Sequence, residues 1–327
     1  MNIGIIGCGL IGTKRAQAVS PPHRVSAVCD IRADRAHALA ETVNCDFVTD
    51  DYKKLIDSGK ADLVVVAVLN YQLAPVTLYA VQRGVHVLVE KPAGISSGQL
   101  ETVMEARKDT DVKVKAGFNH RYHPAMLRAK EIMEREDTGK IMFIRGRYGH
   151  GGRCGYDREW RADPKLSGGG ETLDQGVHLI DLSRWFMGDF QRADGFAATY
   201  FWDMDADDNG FICLRKEDQR AAWLQVSCTE WKNMFSFEIY CERAKLAVEG
   251  LGGSYGTERL YYYKMLPEMG PPETVIYEYP RGDQSWKLEL EDTLSAITSG
   301  TPLRMGSIED AYEALKIVEK IYGRKQI

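Results

Sequence analysis

Asn2-Ile3-Gly4-Ile5-Ile6-Gly7-Cys8-Gly9-Leu10-Ile11-Gly12 decides the fold: a short apolar run turns through three glycines into a helix that should reach about Val19. Glycines at this spacing after a strand allow a tight turn, close backbone approach to a pyrophosphate and helix–sheet packing. A bare Gly-x-Gly-x-x-Gly is also compatible with an ordinary glycine-rich turn. The context makes it a dinucleotide-binding fingerprint, because a second strand, Val25–Cys29, follows and is closed by Asp30. Asp30 lies 18 residues beyond Gly12, where an acidic side chain can accept from both adenosine ribose hydroxyls and repel a 2′-phosphate. NAD is therefore expected over NADP, although Arg32 and Arg35 stand close enough to accommodate a phosphate. Gly7, Gly9, Leu10, Ile11, Gly12, Asp30, Ile31 and Arg32 form the expected cofactor set, with Asn70, Glu90 and Lys91 from later strand ends.

Working outward, Leu63–Val68 and Val85–Val89 are unbroken aliphatic runs, as in parallel strands buried on both faces. Pro75–Arg83 reads as a helix stopped by Gly84, Ser96 with Gln99 as a capping box for a helix to about Lys108, and Val112–Phe118 as a strand. Alternation of this kind indicates a doubly wound parallel sheet. The second strand of the pair ends in Val87-Leu88-Val89-Glu90-Lys91-Pro92, which delivers Lys91 to the carboxyl edge of the sheet, where such folds bind ligands. The bland alternative is a solvated lysine before a proline.

After Asn119 the pattern changes. A helix is expected over Tyr122–Glu134, then strands at Met142–Tyr148, Ala193–Trp202, Gly210–Leu214, Ala221–Val226, Phe235–Tyr240, Leu246–Glu249, Leu260–Lys264 and Thr274–Tyr279. The fold class is thus α/β plus α+β: a Rossmann domain at 1–120, then at 121–327 a mostly antiparallel open sheet with helices on one face. The last helix, Ile308–Tyr322, is a candidate to pack back toward the first domain.

In the second domain Gly168-Gly169-Gly170-Glu171-Thr172-Leu173 leads into Asp174-Gln175-Gly176-Val177-His178-Leu179-Ile180-Asp181. On one continuous helix Asp174, His178 and Asp181 share a face. A histidine between two carboxylates suits a general base; a solvated polar stripe is the plainer reading. Gly176 inside that helix would imply a close neighbour needing the space.

These strings together resemble the Gfo/Idh/MocA family of NAD(P)-dependent oxidoreductases, end to end: the glycine turn, Glu90-Lys91-Pro92, Asn119-x-Arg121, Trp160-Arg161, the glycine-rich lead and Asp174-x-x-x-His178-x-x-Asp181. The resemblance implies Lys91, Asp174 and His178 as catalytic residues. It departs in two places: Val68-Leu69-Asn70-Tyr71-Gln72-Leu73 keeps only the asparagine of a common Thr-Pro-Asn-x-x-His, and Arg15 stands where a histidine is frequent. Asn119, Arg121, Tyr148, Arg153, Trp160 and Arg161 join Lys91, Asp174 and His178 as the expected substrate set. Arginines and tyrosines in Arg145–Tyr156 suit a phosphate and a stacked ring, so the expected reaction is oxidation of a secondary hydroxyl of a sugar nucleotide. Free sugars or inositols remain alternatives, as do a redox-neutral glycosidase and a non-catalytic NAD-binding regulator.

Composition bounds the rest. Hydrophobic residues at 44%, charged residues at 27% and a formal net charge of -5 describe a folded protein without the basic surface of a nucleic-acid binder. No apolar run approaches the roughly 20 residues of a membrane span, and the first residues lack the charged n-region of a signal peptide. Seven dispersed cysteines suggest reduced thiols, hence a cytoplasmic protein. Cys8 and Cys154 are expected to be packing residues. His120 and His123 invite a metal, but without further nearby ligands no metal is expected. A homo-oligomer, dimer or tetramer, through the open sheet is expected.

Overall fold

The structure, a computed structural model, describes residues 1–323. Two compact units emerge among the described residues: Met1–Phe118 with Trp286–Leu315, and Asn119–Ser285 with residues 316–323. The sequence places the division at 1–120 and 121–327; in the structure residues 286–315 cluster with the first unit. Residues 286–315 belong with the first unit because the helix Ser285–Ser299 puts Leu290 and Leu294 into the core of Ile3, Ile5, Val28 and Leu63.

The first unit is a parallel sheet of β1 (Asn2–Ile6), β2 (Arg24–Cys29), β3 (Val48–Thr49), β4 (Leu63–Val66), β5 (His86–Glu90) and β6 (Val114–Gly117), in the order β3-β2-β1-β4-β5-β6. Every residue of β4 is buried, as strands covered on both faces require. Strand order reverses between β1 and β4, and the crevice at their carboxyl ends is where such sheets take ligands. Helices at Ala33–Val43 and Tyr52–Asp57 were not foreseen; the first is alanine-rich and the second only six residues long. The helix expected at Pro75–Arg83 begins earlier, at Asn70, and carries Pro75 within it. Ser96 caps its helix as expected, accepting from the Gln99 amide at 3.4 Å.

Arg15 ties this unit together. Its guanidinium is fully buried, with Nε 2.6 Å from Glu90 Oε1 and Nη1 2.6 Å from Glu289 Oε2, and it lies over the Trp286 ring. Burial pushes the Glu289 carboxyl up even with Arg15 beside it.

The second unit carries β7 (Ile141–Gly149), β8 (Arg192–Ala198), β9 (Asn209–Arg215), β10 (Ala221–Ser227), β11 (Met234–Cys241), β12 (Ala244–Glu249), β13 (Glu258–Lys264) and β14 (Glu273–Tyr279), ordered β14-β13-β12-β11-β7-β10-β9-β8. All pairs are antiparallel except β10 with β7. All eight expected strands are present. β8 stops at Ala198, short of Trp202, because Asp208 accepts from the amides of Tyr200, Phe201 and Trp202 and draws that segment out of the ladder. Along β7 the side chains alternate: Ile144, Gly146 and Tyr148 are buried, while Phe143, Arg145 and Arg147 face out.

The helix expected through residues 174–181 is two helices. Glu171–Asp174 ends at Gln175, and Gly176–Met187 starts a second. Gly176 is therefore a first residue rather than an interior one, and a Cβ there would meet nothing nearer than 3.5 Å. The inferred close neighbour does not exist. Gly146 of β7 is the crowded position, where a Cβ would meet Leu224, Phe237 and Leu179 at 3.0–3.4 Å. Its small size lets the second helix settle onto the sheet.

Arg15→Met should reduce unfolding free energy by about 3–5 kcal/mol, since two carboxylates lose their buried partner. Denaturant titration reads this, and a loss under about 1 kcal/mol, the worth of an exposed pair, would contradict it.

Candidate active site

In the first unit the glycine turn has the shape the spacing implied. Gly7 has φ +96°, and a Cβ on it would lie 2.3 Å from the Ala67 carbonyl oxygen. On Gly12 a Cβ would lie 1.8 Å from the Gly7 oxygen, whereas around Gly9 the nearest atom is an Arg35 nitrogen at 3.9 Å. The turn is closed inward and open at Gly9, which also begins the helix Leu10–Gln17 with no side-chain cap. That leaves first-turn N–H groups, Ile11 among them, for a pyrophosphate. Asp30 accepts from Cys8 N at 2.7 Å and from Arg32 N at 2.8 Å, so it fixes the turn. Arg32 is held by Asp34 at 2.7 Å, which weakens it as a 2′-phosphate clamp. Leu10 and Ile31, 74% and 90% exposed, are apolar surfaces suited to an adenine ring. Burial, and then Asp30, pushes the Cys8 thiol up to about 12, in keeping with a packing residue. Asn70 is buried at the start of its helix, Glu90 is held by Arg15, and Lys91 is half-buried where β5 ends. These residues fit a dinucleotide.

In the second unit Asp174 closes its short helix and accepts from Arg161 Nε at 3.3 Å. His178 is buried and lies face to face with His120, ring centroids 3.7 Å apart and planes at 22°. The Tyr148 and His178 rings meet edge to face, centroids 6.2 Å apart, and Tyr148 packs on Tyr255. Tyr156 donates to Glu171 at 2.8 Å. Burial, followed by Tyr255 and the Asp174 and Glu171 charges, pushes the Tyr148 hydroxyl well up; it is a hydrogen-bonding group rather than a phenolate. Trp160 lies under the Arg161 guanidinium.

Not every expected residue joins this cluster. Arg121 and Asp181 form a buried two-pronged pair at 2.6 and 2.7 Å. Asp181 is thus held by Arg121, and a second imidazole, His120, stacks on His178. Asn119 supports His120, whose Nδ1 is 3.2 Å from its Oδ1. Arg153 is exposed and paired with Glu159 at 2.7 Å, Arg147 with Glu230 at 3.3 Å. Arg145 pairs with Glu238; burial opposes that carboxylate's charge, yet Arg145 and Lys245 hold it down at about 2. Tyr255, Glu171 and the His120 stack were not anticipated. Tyr255 lies in a loop with Gly252, Gly253 and Gly256, which was the available signal. His123 is bonded to Glu258 at 2.8 Å, and among the described residues no group of three or more His, Cys, Asp or Glu could hold a metal.

Residues 1–118 match the family description "Oxidoreductase family, NAD-binding Rossmann fold", and residues 126–247 match "GFO/IDH/MocA C-terminal domain". The chain belongs to the GFO/IDH/MocA family. It is 25% identical over 222 residues to levoglucosan dehydrogenase of Pseudarthrobacter phenanthrenivorans, covering 61% of this chain and 54% of that protein. With inositol 2-dehydrogenase 2 of Saccharopolyspora erythraea it shares 31% over 192 residues, covering 58% and 54%. The chain spans little more than half the length of these relatives. The fold is shared with a levoglucosan dehydrogenase solved with NADH and levoglucosan, TM-score 0.88 at 20% identity, covering 99% and 96% of the two chains. It is shared too with UDP-N-acetylglucosamine 3-dehydrogenase of Acidithiobacillus ferrooxidans, TM-score 0.82 at 19%, covering 98% and 96%. NAD is the cofactor of this family's nucleotide domain.

Asp30→Ser should weaken NAD and improve NADP binding, because it removes a carboxylate that repels a 2′-phosphate. Equal affinity of the unaltered protein for both cofactors, measured by calorimetry, would refute the role of Asp30.

Proposed function

We propose that the protein oxidises a secondary hydroxyl of a neutral sugar or cyclitol to a ketone. The observation that carries this is the pairing of the arginines: Arg145 and Arg147 on β7, and Arg153 beyond it, each face a carboxylate of their own unit. A diphosphate would have to displace those partners, whereas a polyol asks only for hydrogen bonds. The tyrosines around Asp174 supply apolar faces with polar tips for it. The relatives named levoglucosan and inositol dehydrogenases support the same class. The sugar-nucleotide reading keeps one support, the shared fold with a UDP-N-acetylglucosamine 3-dehydrogenase.

Bound NAD supplies the hydride acceptor, so the alcohol loses a hydride and a proton and becomes a carbonyl. His178 takes the hydroxyl proton. Lys91 donates a hydrogen bond to the same oxygen and stabilises its developing negative charge. Asp174, oriented by Arg161, accepts from a neighbouring hydroxyl. No helix among the described residues is long and apolar enough to cross a membrane. Exposed Phe143, Phe196, Trp223 and Ile276 share the uncovered face of the sheet by register, which supports self-association there.

His178→Ala and Lys91→Ala should each lose about 10²–10⁴-fold in kcat and still bind NAD. NADH formation from inositols, free hexoses and UDP-sugars measures both the class and the loss. A UDP-sugar with kcat/KM above every free polyol, and a KM raised by Arg147→Ala or Arg153→Ala, would overturn the neutral-substrate reading. Near-normal turnover in both single variants would remove the catalytic assignment.

A further inference from the structure

His120 belongs to a motif that the reaction as described leaves unused. Its ring is buried and stacked on that of His178 at 3.7 Å. Tyr148, Phe235 and His123 close the other sides, with centroids at 5.1, 5.9 and 5.6 Å. The ring is also held in its plane by a directional chain. Ser285 Oγ donates to Asp283 Oδ1 at 2.5 Å and accepts from Asn119 Nδ2 at 2.8 Å. The Asn119 amide oxygen then faces His120 Nδ1 at 3.2 Å, so Nδ1 is the protonated nitrogen.

We propose that His120 is a positioning residue for His178, fixing its ring plane, and that the stacked pair carries at most one proton. This rests on the reading of His178 as the proton acceptor. An imidazolium is stabilised by the face of a neutral aromatic ring, whereas two imidazolium faces at this separation repel. A neutral His120 therefore supports the charge His178 gains during oxidation, and a charged His120 opposes it. The other charged or titratable groups in this packing are Tyr148, Asp181 with Arg121, His123 with Glu258, and Asp283, which heads the hydrogen-bond chain and also lies 3.9 Å from His123 Nε2; Asp174 closes the short helix just before the one that carries His178. Asp181 and Glu258 are each bound to a partner on the segment 121–125.

Histidine-ring NMR titration of the full chain without substrate tests the coupling, using unaltered protein, His120→Phe and His178→Phe. Phenylalanine keeps a ring face and removes the charge. The expected result is that the remaining histidine of the pair titrates at higher pH in each variant, by about one pH unit. The same behaviour in variant and unaltered protein overturns the shared-proton claim. With a verified substrate, His120→Phe should retain more kcat than His120→Ala at an unchanged KM, and its acid limb should move to higher pH. Equal kcat in both variants overturns the positioning role. If His178→Ala keeps normal turnover while the NMR coupling is present, it is the base assignment that fails and not the coupling.

Discussion

The buried guanidinium of Arg15 is the constraint on which the nucleotide unit depends. It joins the first helix, the end of β5 and the helix Ser285–Ser299, segments separated by up to 274 positions in sequence. Taking that charge out of water is tolerable only because Glu90 and Glu289 both reach it. Glu90 immediately precedes Lys91, so an ion pair in the core sets the strand end from which the lysine emerges. Lys115, also buried, reaches toward Asp292 of the same late helix, at 3.9 Å. A late stretch of sequence is thereby built into an early domain.

Electrostatic pairing also governs what the second unit can receive. Arginine-rich loops suggest anion binding when only composition is visible, but a guanidinium facing its own carboxylate offers little net field to a phosphate. Arg161 is different: its carboxylate is Asp174 itself. There the charge orients a carboxylate proposed to hold the substrate. The hydroxyl-rich surroundings of Tyr148, Tyr156 and Tyr255 suit many weak, directional contacts with a neutral polyol.

Much of this was legible in the sequence. The glycine turn, Asp30, the aliphatic strands and all eight strands of the second sheet follow from period and punctuation, because local sterics and two-sided burial dictate them. The pairings of Arg121 with Asp181 and of Arg15 with Glu289 join distant positions, and no local pattern announces them. The break at Gln175 escaped notice because Glu171–Met187 keeps a helical periodicity across it. Lys91, Asp174 and His178 were proposed from their settings at strand and helix ends. The stacking of His120 on His178 was not, since residues 58 positions apart meet only where the turn Asn119–Tyr122 packs on the helix Gly176–Met187.

The central claim is direct hydride transfer from a neutral polyol to NAD. Incubation with NAD and a polyol deuterated at the reacting carbinol carbon, followed by mass spectrometry of the cofactor, tests it most directly. The account predicts one deuterium in the NADH and a ketone product. Unlabelled NADH, or a reaction that leaves the cofactor oxidised, would contradict it.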